Sequence, residues 1–292
     1  MLARAPRHRL IQRAPSPSSS SSSSPMSAPP PPAHASRRGS APSSSSASAE
    51  RWVEYDCDGT SLCALVVDAP QEAAVRGAVP AVLVAHTAIG VRDDFVLDAA
   101  RRAAKELGAV AVACDLYGAR ETVWNVEDRR RYMAELQDRN VLLKRMEAAL
   151  ELAMSQPGVD KAIAFGYCLG GKAVLDLARG ARPEVLGVVS FHGILDAPAL
   201  ALKPMSASVL ACHGSADPFI PEDQFQAFLR DMADRDADVQ ILTFLGAKHA
   251  FTRPEKTTQE DDDAGFQYAP KAATRSWDAM KRFFIDDVLA QD

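Results

Sequence analysis

The stretch Ala162-Ile163-Ala164-Phe165-Gly166-Tyr167-Cys168-Leu169-Gly170-Gly171 passes from a short apolar run into a glycine-rich turn. A helical stripe of Ala173, Val174, Leu177 and Ala178 follows at once, with Arg179-Gly180 suited to its end. A small residue two places either side of a nucleophile, set between strand and helix, is the nucleophile-elbow pattern, here with cysteine. Each residue type has a physical reason. The nucleophile occupies a sharp turn that stores about 1–3 kcal/mol of backbone strain. Strand and helix pass so close to it that Gly166 and Gly170 must lack bulk. Cys168 then lies at a helix amino terminus, where partial positive charge favours the thiolate, and the Leu169 amide points toward a developing oxyanion. The competing reading is a buried structural cysteine beside a glycine turn. Strand, turn and helix are all in place here, which favours the nucleophile.

Outward from this turn, apolar runs recur at Leu62–Val67, Ala81–Ala85, Ala109–Ala113, Val185–Phe191, Val209–Ala211 and Val239–Phe244. Most lack a two-residue alternation, which predicts strands buried on both faces, as in a parallel sheet. Helical stripes separate them. Phe95, Val96, Ala99, Ala100, Ala103, Ala104 and Leu107 form one, with Asp93 and Asp94 at its start and Gly108 at its end. Leu142, Met146, Ala149, Leu150 and Ala153 form another, stopped by Pro157-Gly158, and Ala273, Trp277, Met280, Phe284 and Val288 form a terminal one. The pattern predicts one doubly wound α/β domain over 51–292, with function just beyond the carboxyl ends of the strands.

An elbow needs an orienting acid and a base, which follow the nucleophile in that order. Val209–Ala211 opens into His213-Gly214-Ser215-Ala216-Asp217-Pro218, and Val239–Phe244 into Gly246-Ala247-Lys248-His249-Ala250-Phe251. The expected set is Cys168 as nucleophile, His249 as base and Asp217 as orienter. Asp115 and Asp196 are rival acids; Asp115 precedes the elbow and Asp196 lacks strand support. Asp217 before Pro218 is also an ordinary turn residue. The second oxyanion donor is expected from His86-Thr87-Ala88-Ile89-Gly90-Val91, as the amide of Ala88 or Thr87. His86, His192, His213 and His249 all follow strands, yet no HxH or HExxH spacing is present and four loops would have to converge, so no metal is expected. His86, His192 and His213 are expected as hydrogen-bonded rim residues.

Composition bounds the rest. The chain has 292 residues, 47% hydrophobic and 24% charged, with net charge −5. Residues 1–49 hold sixteen serines, nine prolines and six arginines without an acid. The segment 1–50 is expected to be disordered, and its Arg/Ser bias matches an organelle transit peptide; a plain tail and a start at Met26 are the alternatives. The remainder balances at −10, which argues against nucleic-acid binding. No run of about 18 apolar residues suggests a membrane span. Five cysteines in a long chain suggest a reducing compartment, cytoplasmic or within a mitochondrion or plastid. The acidic run Glu260-Asp261-Asp262-Asp263 is expected in solvent or looped over the site.

The three motifs around Cys168, Asp217 and His249 resemble those of the dienelactone hydrolase family of the α/β-hydrolase superfamily, supported by Cys114-Asp115-Leu116-Tyr117-Gly118 and Arg275-Ser276-Trp277. The resemblance covers about residues 52–290. It implies an α/β-hydrolase fold and hydrolysis of small lactones or esters without metal or organic cofactor. It also implies basic side chains that hold a substrate carboxylate. Arg253 matches one of these, and Arg129, Arg130 and Arg131 lie in the neighbourhood of the second; a solvated face is the alternative for all four. Thr87 stands where the type enzyme has a glutamate that helps switch the cysteine on, which opens both activation and strict dienelactone specificity to doubt. Thr87 and Tyr167 join Arg253 as candidate substrate contacts. The expected function is cleavage of small esters or lactones through an acyl-cysteine. The alternatives are an idle or redox-sensing module, in which Cys168 is an oxidisable thiol, and a thioester or other carboxylester hydrolase. The partner is a small molecule; the oligomeric state is open, and a monomer fits.

Overall fold

The computed structural model describes residues 48–74, 78–118, 122–198 and 200–291. The disorder and transit-peptide expectations for the first segment therefore lie almost wholly outside the described residues. Eight strands form one sheet in the order β1-β2-β4-β3-β5-β6-β7-β8. They are β1 Glu50–Cys57, β2 Thr60–Val67, β3 Val79–Ala85, β4 Val110–Cys114, β5 Val159–Tyr167, β6 Val185–Phe191, β7 Ser208–Gly214 and β8 Val239–Phe244. From β4 through β8 every pairing is parallel, whereas β2 runs antiparallel to both β1 and β4. This is the mixed sheet of an α/β-hydrolase fold.

The helices are α1 Gln71–Ala74, α2 Asp94–Leu107, α3 Val126–Glu135, α4 Arg139–Met154, α5 Leu169–Arg179, α6 Glu222–Asp234, α7 Gln259–Asp263 and α8 Pro270–Arg282. They cover both faces of the sheet. Ala162 and Ala164 of β5 pack among residues of α4 and α5, while Ile163, Phe165 and Tyr167 pack among α2 and α8. Alternate residues thus enter different apolar layers, which is why the central strands show no polar alternation. Burial of this kind contributes about 25 cal/mol per Å² of apolar surface.

One strand differs from the expectation for a physical reason. The edge strand β1 alternates exposed and half-buried residues, so it shows no apolar run. Its signal was Asp58-Gly59, which closes a tight hairpin to β2 with φ of 50° and 81°. The edge strand β8 is only half-buried. Helix α3 buries no residue and so carries no stripe, while α6 buries only Phe228 and Met232. After α8 the chain widens into a π-helical turn, Phe283–Val288. The spacing Met280, Phe284, Val288 is longer than 3.6 residues and suits that wider turn.

A buried ionic ladder ties three helices together. Asp176 of α5 accepts from Arg139 of α4 at 2.6 Å and from Arg179 at 3.0 Å. Asp231 of α6 accepts from Arg179 at 2.8 Å and from Arg235 at 2.9 Å. Among the described residues no helix is long and apolar enough to cross a membrane.

Candidate active site

The chain order reverses around β3, which lies between β4 and β5, so the loops after β3 and β5 meet at the rim of the sheet. Cys168 bridges β5 and α5 with φ 56° and ψ −113°. Its amide donates to the Phe191 carbonyl at 3.1 Å, and its carbonyl accepts the first helical bond, from Lys172 at 3.2 Å. The two flanking glycines are dictated by space. A Cβ on Gly166 would lie 2.2 Å from the Gly170 carbonyl oxygen, and one on Gly170 would lie 2.1 Å from that of Ala85.

His249 sits in the turn after β8 and is 2% exposed. Its backbone is clamped from both sides: its amide donates to Gly265 and its carbonyl accepts from Gln267, each at 3.1 Å. Its Nδ1 lies 2.8 Å from Oδ2 of Asp217, and the ring lies close enough to the Cys168 sulfur for each to shift the titration of the other. Asp217 is aimed by its other oxygen, which accepts the Phe219 amide at 2.9 Å. The His249 ring is met edge-on by Phe219 at 4.9 Å, His192 at 5.1 Å and Phe266 at 5.6 Å. The acidic run explains Phe266. Asp261 and Asp262 of α7 bind Lys256 and Lys248, so this segment is tied down and holds Phe266 against the histidine.

The backbone amides of Leu169 and Ala88 lie close enough to the Cys168 sulfur to favour its thiolate. Burial alone would raise its pKa; the imidazolium of His249, their hydrogen bond and the two amides outweigh it and bring the thiol below its ordinary value. His249 responds in the opposite sense. Burial lowers its pKa, but the thiolate and Asp217 raise it to about 10. Both shifts act in favour of the charged forms, thiolate and imidazolium.

The rival acids are engaged elsewhere. Asp115 accepts the amides of Tyr117 and Gly118 at 2.8 and 3.0 Å, and Asp196 binds Lys172 and Arg139 at 2.9 and 3.0 Å. Three histidines surround the site without joining the relay. His86 accepts from the Leu116 amide through Nε2 and donates through Nδ1 to the Thr87 carbonyl. His192, kept neutral by burial and by the His249 charge, meets Thr252 Oγ1 at 2.8 Å. His213 departs from the expectation: its Nδ1 has no partner, and it stacks on Phe225 instead. Among the described residues no three His, Cys, Asp or Glu side chains gather as a metal ion would need.

The candidate substrate contacts are placed as follows. Tyr167 is 3% exposed, its ring set among Phe95, Phe165 and Phe191, so it packs behind the site. Thr87 is buried and uses Oγ1 to accept the Ile89 amide at 3.3 Å. Arg253 is not on a solvated face. It is buried, with Nη1 2.5 Å from Asp93 and 3.3 Å from Thr87 Oγ1, and Nε on Glu255. Asp93 caps α2, so this guanidinium ties the loop bearing Ala88 to the segment bearing His249. Tyr117, which the sequence reading did not single out as a site residue, donates to the Ala88 carbonyl at 3.3 Å and stacks on Tyr132.

A thiol beside a paired imidazole and carboxylate, with two backbone amides near the sulfur, is an arrangement able to perform acyl transfer. Comparison with known proteins bears on the same chemistry. The Dienelactone hydrolase family profile matches residues 65–287. A crystal structure of a dienelactone hydrolase-like promiscuous phosphotriesterase from metagenomic libraries superposes with a TM-score of 0.73 at 31% identity, covering 82% of this chain and 98% of that one. A probable 2-oxo-3-(5-oxofuran-2-ylidene)propanoate lactonase of Bradyrhizobium is 27% identical over 77% of this chain and 90% of its own. An uncharacterised protein of Caenorhabditis elegans is 37% identical over 50% of this chain and 94% of its own.

Proposed function

The chain belongs to the dienelactone hydrolase family, and we propose that it hydrolyses small carboxylic esters or lactones with Cys168 as nucleophile, His249 as general acid and base, and Asp217 as its orienter. The observation that carries this reading is the Asp217–His249 pair at 2.8 Å beside Cys168, which sits on a strand-to-helix turn at φ 56°. The Cys168 thiolate attacks the carbonyl carbon, and the carbonyl oxygen becomes an oxyanion between the Leu169 and Ala88 amides. The imidazolium gives its proton to the departing alkoxide, leaving an acyl-cysteine. Neutral His249 then removes a proton from water, which attacks the thioester. The acid departs, and thiolate and imidazolium are restored. A lactone follows the same course, with the alcohol retained in the product.

In this reading Thr87 and Arg253 position the Ala88 loop, and Tyr167 supports the elbow from behind. The lactone named for the Bradyrhizobium relative and the phosphotriesters named for the metagenomic one belong on the substrate panel beside simple aryl esters. Turnover of any of these that disappears on alkylation of Cys168 supports the proposal; turnover that survives complete alkylation rejects it.

Two further outcomes are expected. Asp217→Asn keeps an acceptor for the Phe219 amide but offers Nδ1 of His249 no carboxylate. Its kcat should fall by about 10³–10⁴-fold with the fold intact, measured by ester hydrolysis beside circular dichroism. The pH dependence follows from the ion pair. Iodoacetamide should alkylate Cys168 with a midpoint below the ordinary thiol value of 9.0. In His249→Gln the midpoint should rise, because burial then acts without an opposing charge. Hydrolysis should decline above pH about 10, where His249 loses the proton it gives to the leaving group. A midpoint unchanged in His249→Gln would count against the pair.

A further inference from the structure

The proposal that follows rests on the hydrolase reading above and concerns which esters the site accepts. The cation expected to hold a substrate carboxylate has no open side. The Arg253 guanidinium faces Asp93 at 2.5 Å, binds Glu255, contacts Thr87 Oγ1 at 3.3 Å and lies 4.8 Å over the Phe95 ring. It is only 5% exposed. One arginine with two carboxylates leaves this cluster at −1. The Cys168, His249 and Asp217 set, as thiolate, imidazolium and carboxylate, leaves another −1. Arg129, half-buried on α3 and close enough to act on the Tyr117 hydroxyl, offsets one of these charges, so the balance stays negative. An anionic substrate would enter against that field.

The rim offers apolar surface instead. Phe219 is 41% exposed and stands edge-on to His249. Trp124 is 62% exposed. It follows Val123, whose amide donates to the Ile89 carbonyl at 2.7 Å, so it stands beside the loop that carries Ala88. An indole left in water beside that loop is a ready platform for a planar apolar group.

We propose that this site selects uncharged esters, and that Trp124 receives an aromatic acyl group. Arg253 serves as a clamp between the Ala88 and His249 loops and not as a carboxylate receptor.

Matched substrates test both parts. At pH 8 the protein is given 4-nitrophenyl hydrogen glutarate, an anion, and its uncharged methyl ester, which share leaving group and near-identical shape. The methyl ester should be favoured by about tenfold in kcat/KM; equal or reversed preference overturns the charge argument. Asp93→Asn retains a good helix cap and removes one negative charge, so the anionic-to-neutral ratio should rise severalfold. An unchanged ratio in that variant also counts against the proposal. For the second part, Trp124→Ala should raise KM for 4-nitrophenyl phenylacetate about fivefold more than for 4-nitrophenyl acetate. An equal change on the two esters overturns the placement of the acyl group. Should neither glutarate be hydrolysed in a Cys168-dependent way, the hydrolase reading itself fails; hydrolysis of both without discrimination removes this proposal alone.

Discussion

Replacing Cys168 by alanine should abolish ester and lactone hydrolysis, with kcat/KM down by about 10⁴-fold or more, while the protein remains folded. In the proposed mechanism Cys168 is the one member of the set whose atoms enter the covalent intermediate, so no neighbour can take over its step. The fold should survive because the sulfur does not plug the core; Cys168 keeps accessible surface, and alanine meets the same left-handed φ of 56° that cysteine already tolerates. Initial rates on an aryl ester and a thermal melt, run on the same preparation, make the measurement. Activity within tenfold of the parent in a properly folded variant would assign the chemistry to another group.

The second large effect is on stability. Gly170→Ala adds one methyl group, yet that methyl would lie 2.1 Å from the Ala85 carbonyl oxygen, 2.5 Å from its carbon and 2.7 Å from the His86 carbonyl oxygen. All three atoms are backbone at the end of β3, the most enclosed part of the sheet, so no side chain can swing aside. Overpacking of well-packed interiors typically costs about 1–3 kcal/mol, and a backbone collision of this depth should exceed that range. The urea midpoint should drop accordingly, or the protein should fail to accumulate. Gly246→Ala is the control. Its φ of 77° is unfavourable, but nothing lies within 4 Å of the added carbon, so about 1 kcal/mol is expected. Equal losses at the two positions would mean that the elbow is not sterically tight.

How much of this was legible in the sequence depended on whether the signal was local. The central strands declared themselves because both of their faces enter apolar layers, and the elbow because strand, glycines and helix are contiguous. The edge strand β1 and the surface helix α3 were missed, since half-exposed elements show no apolar run. The Asp58-Gly59 turn was the available clue to β1. Order along the chain singled out Asp217 and His249, and the structure pairs the two at 2.8 Å. Order could not choose between the amides of Thr87 and Ala88. That choice depends on loop geometry, in which the Gly90 amide donates to Thr87 and the Ala88 carbonyl accepts from Tyr117. The surroundings of Arg253 were beyond reach for a different reason. Its partner Asp93 lies 160 positions earlier and reads locally as a helix cap, which it also is. The aromatic cover on His249 was similarly hidden, because Phe266 arrives by way of an acidic run whose charges look like solvated surface.

Asp176 and Asp231 each serve two guanidiniums in the ladder that joins α4, α5 and α6. No rung of it can be exchanged alone without stranding a charge in the interior, whereas replacing several rungs together by apolar groups of similar volume removes the penalty. Substitutions on that face are therefore epistatic, each one's cost set by what its neighbours have become. Sequence drift can move residue by residue over the exposed surface of α3, but across the ladder only concerted change is open to it.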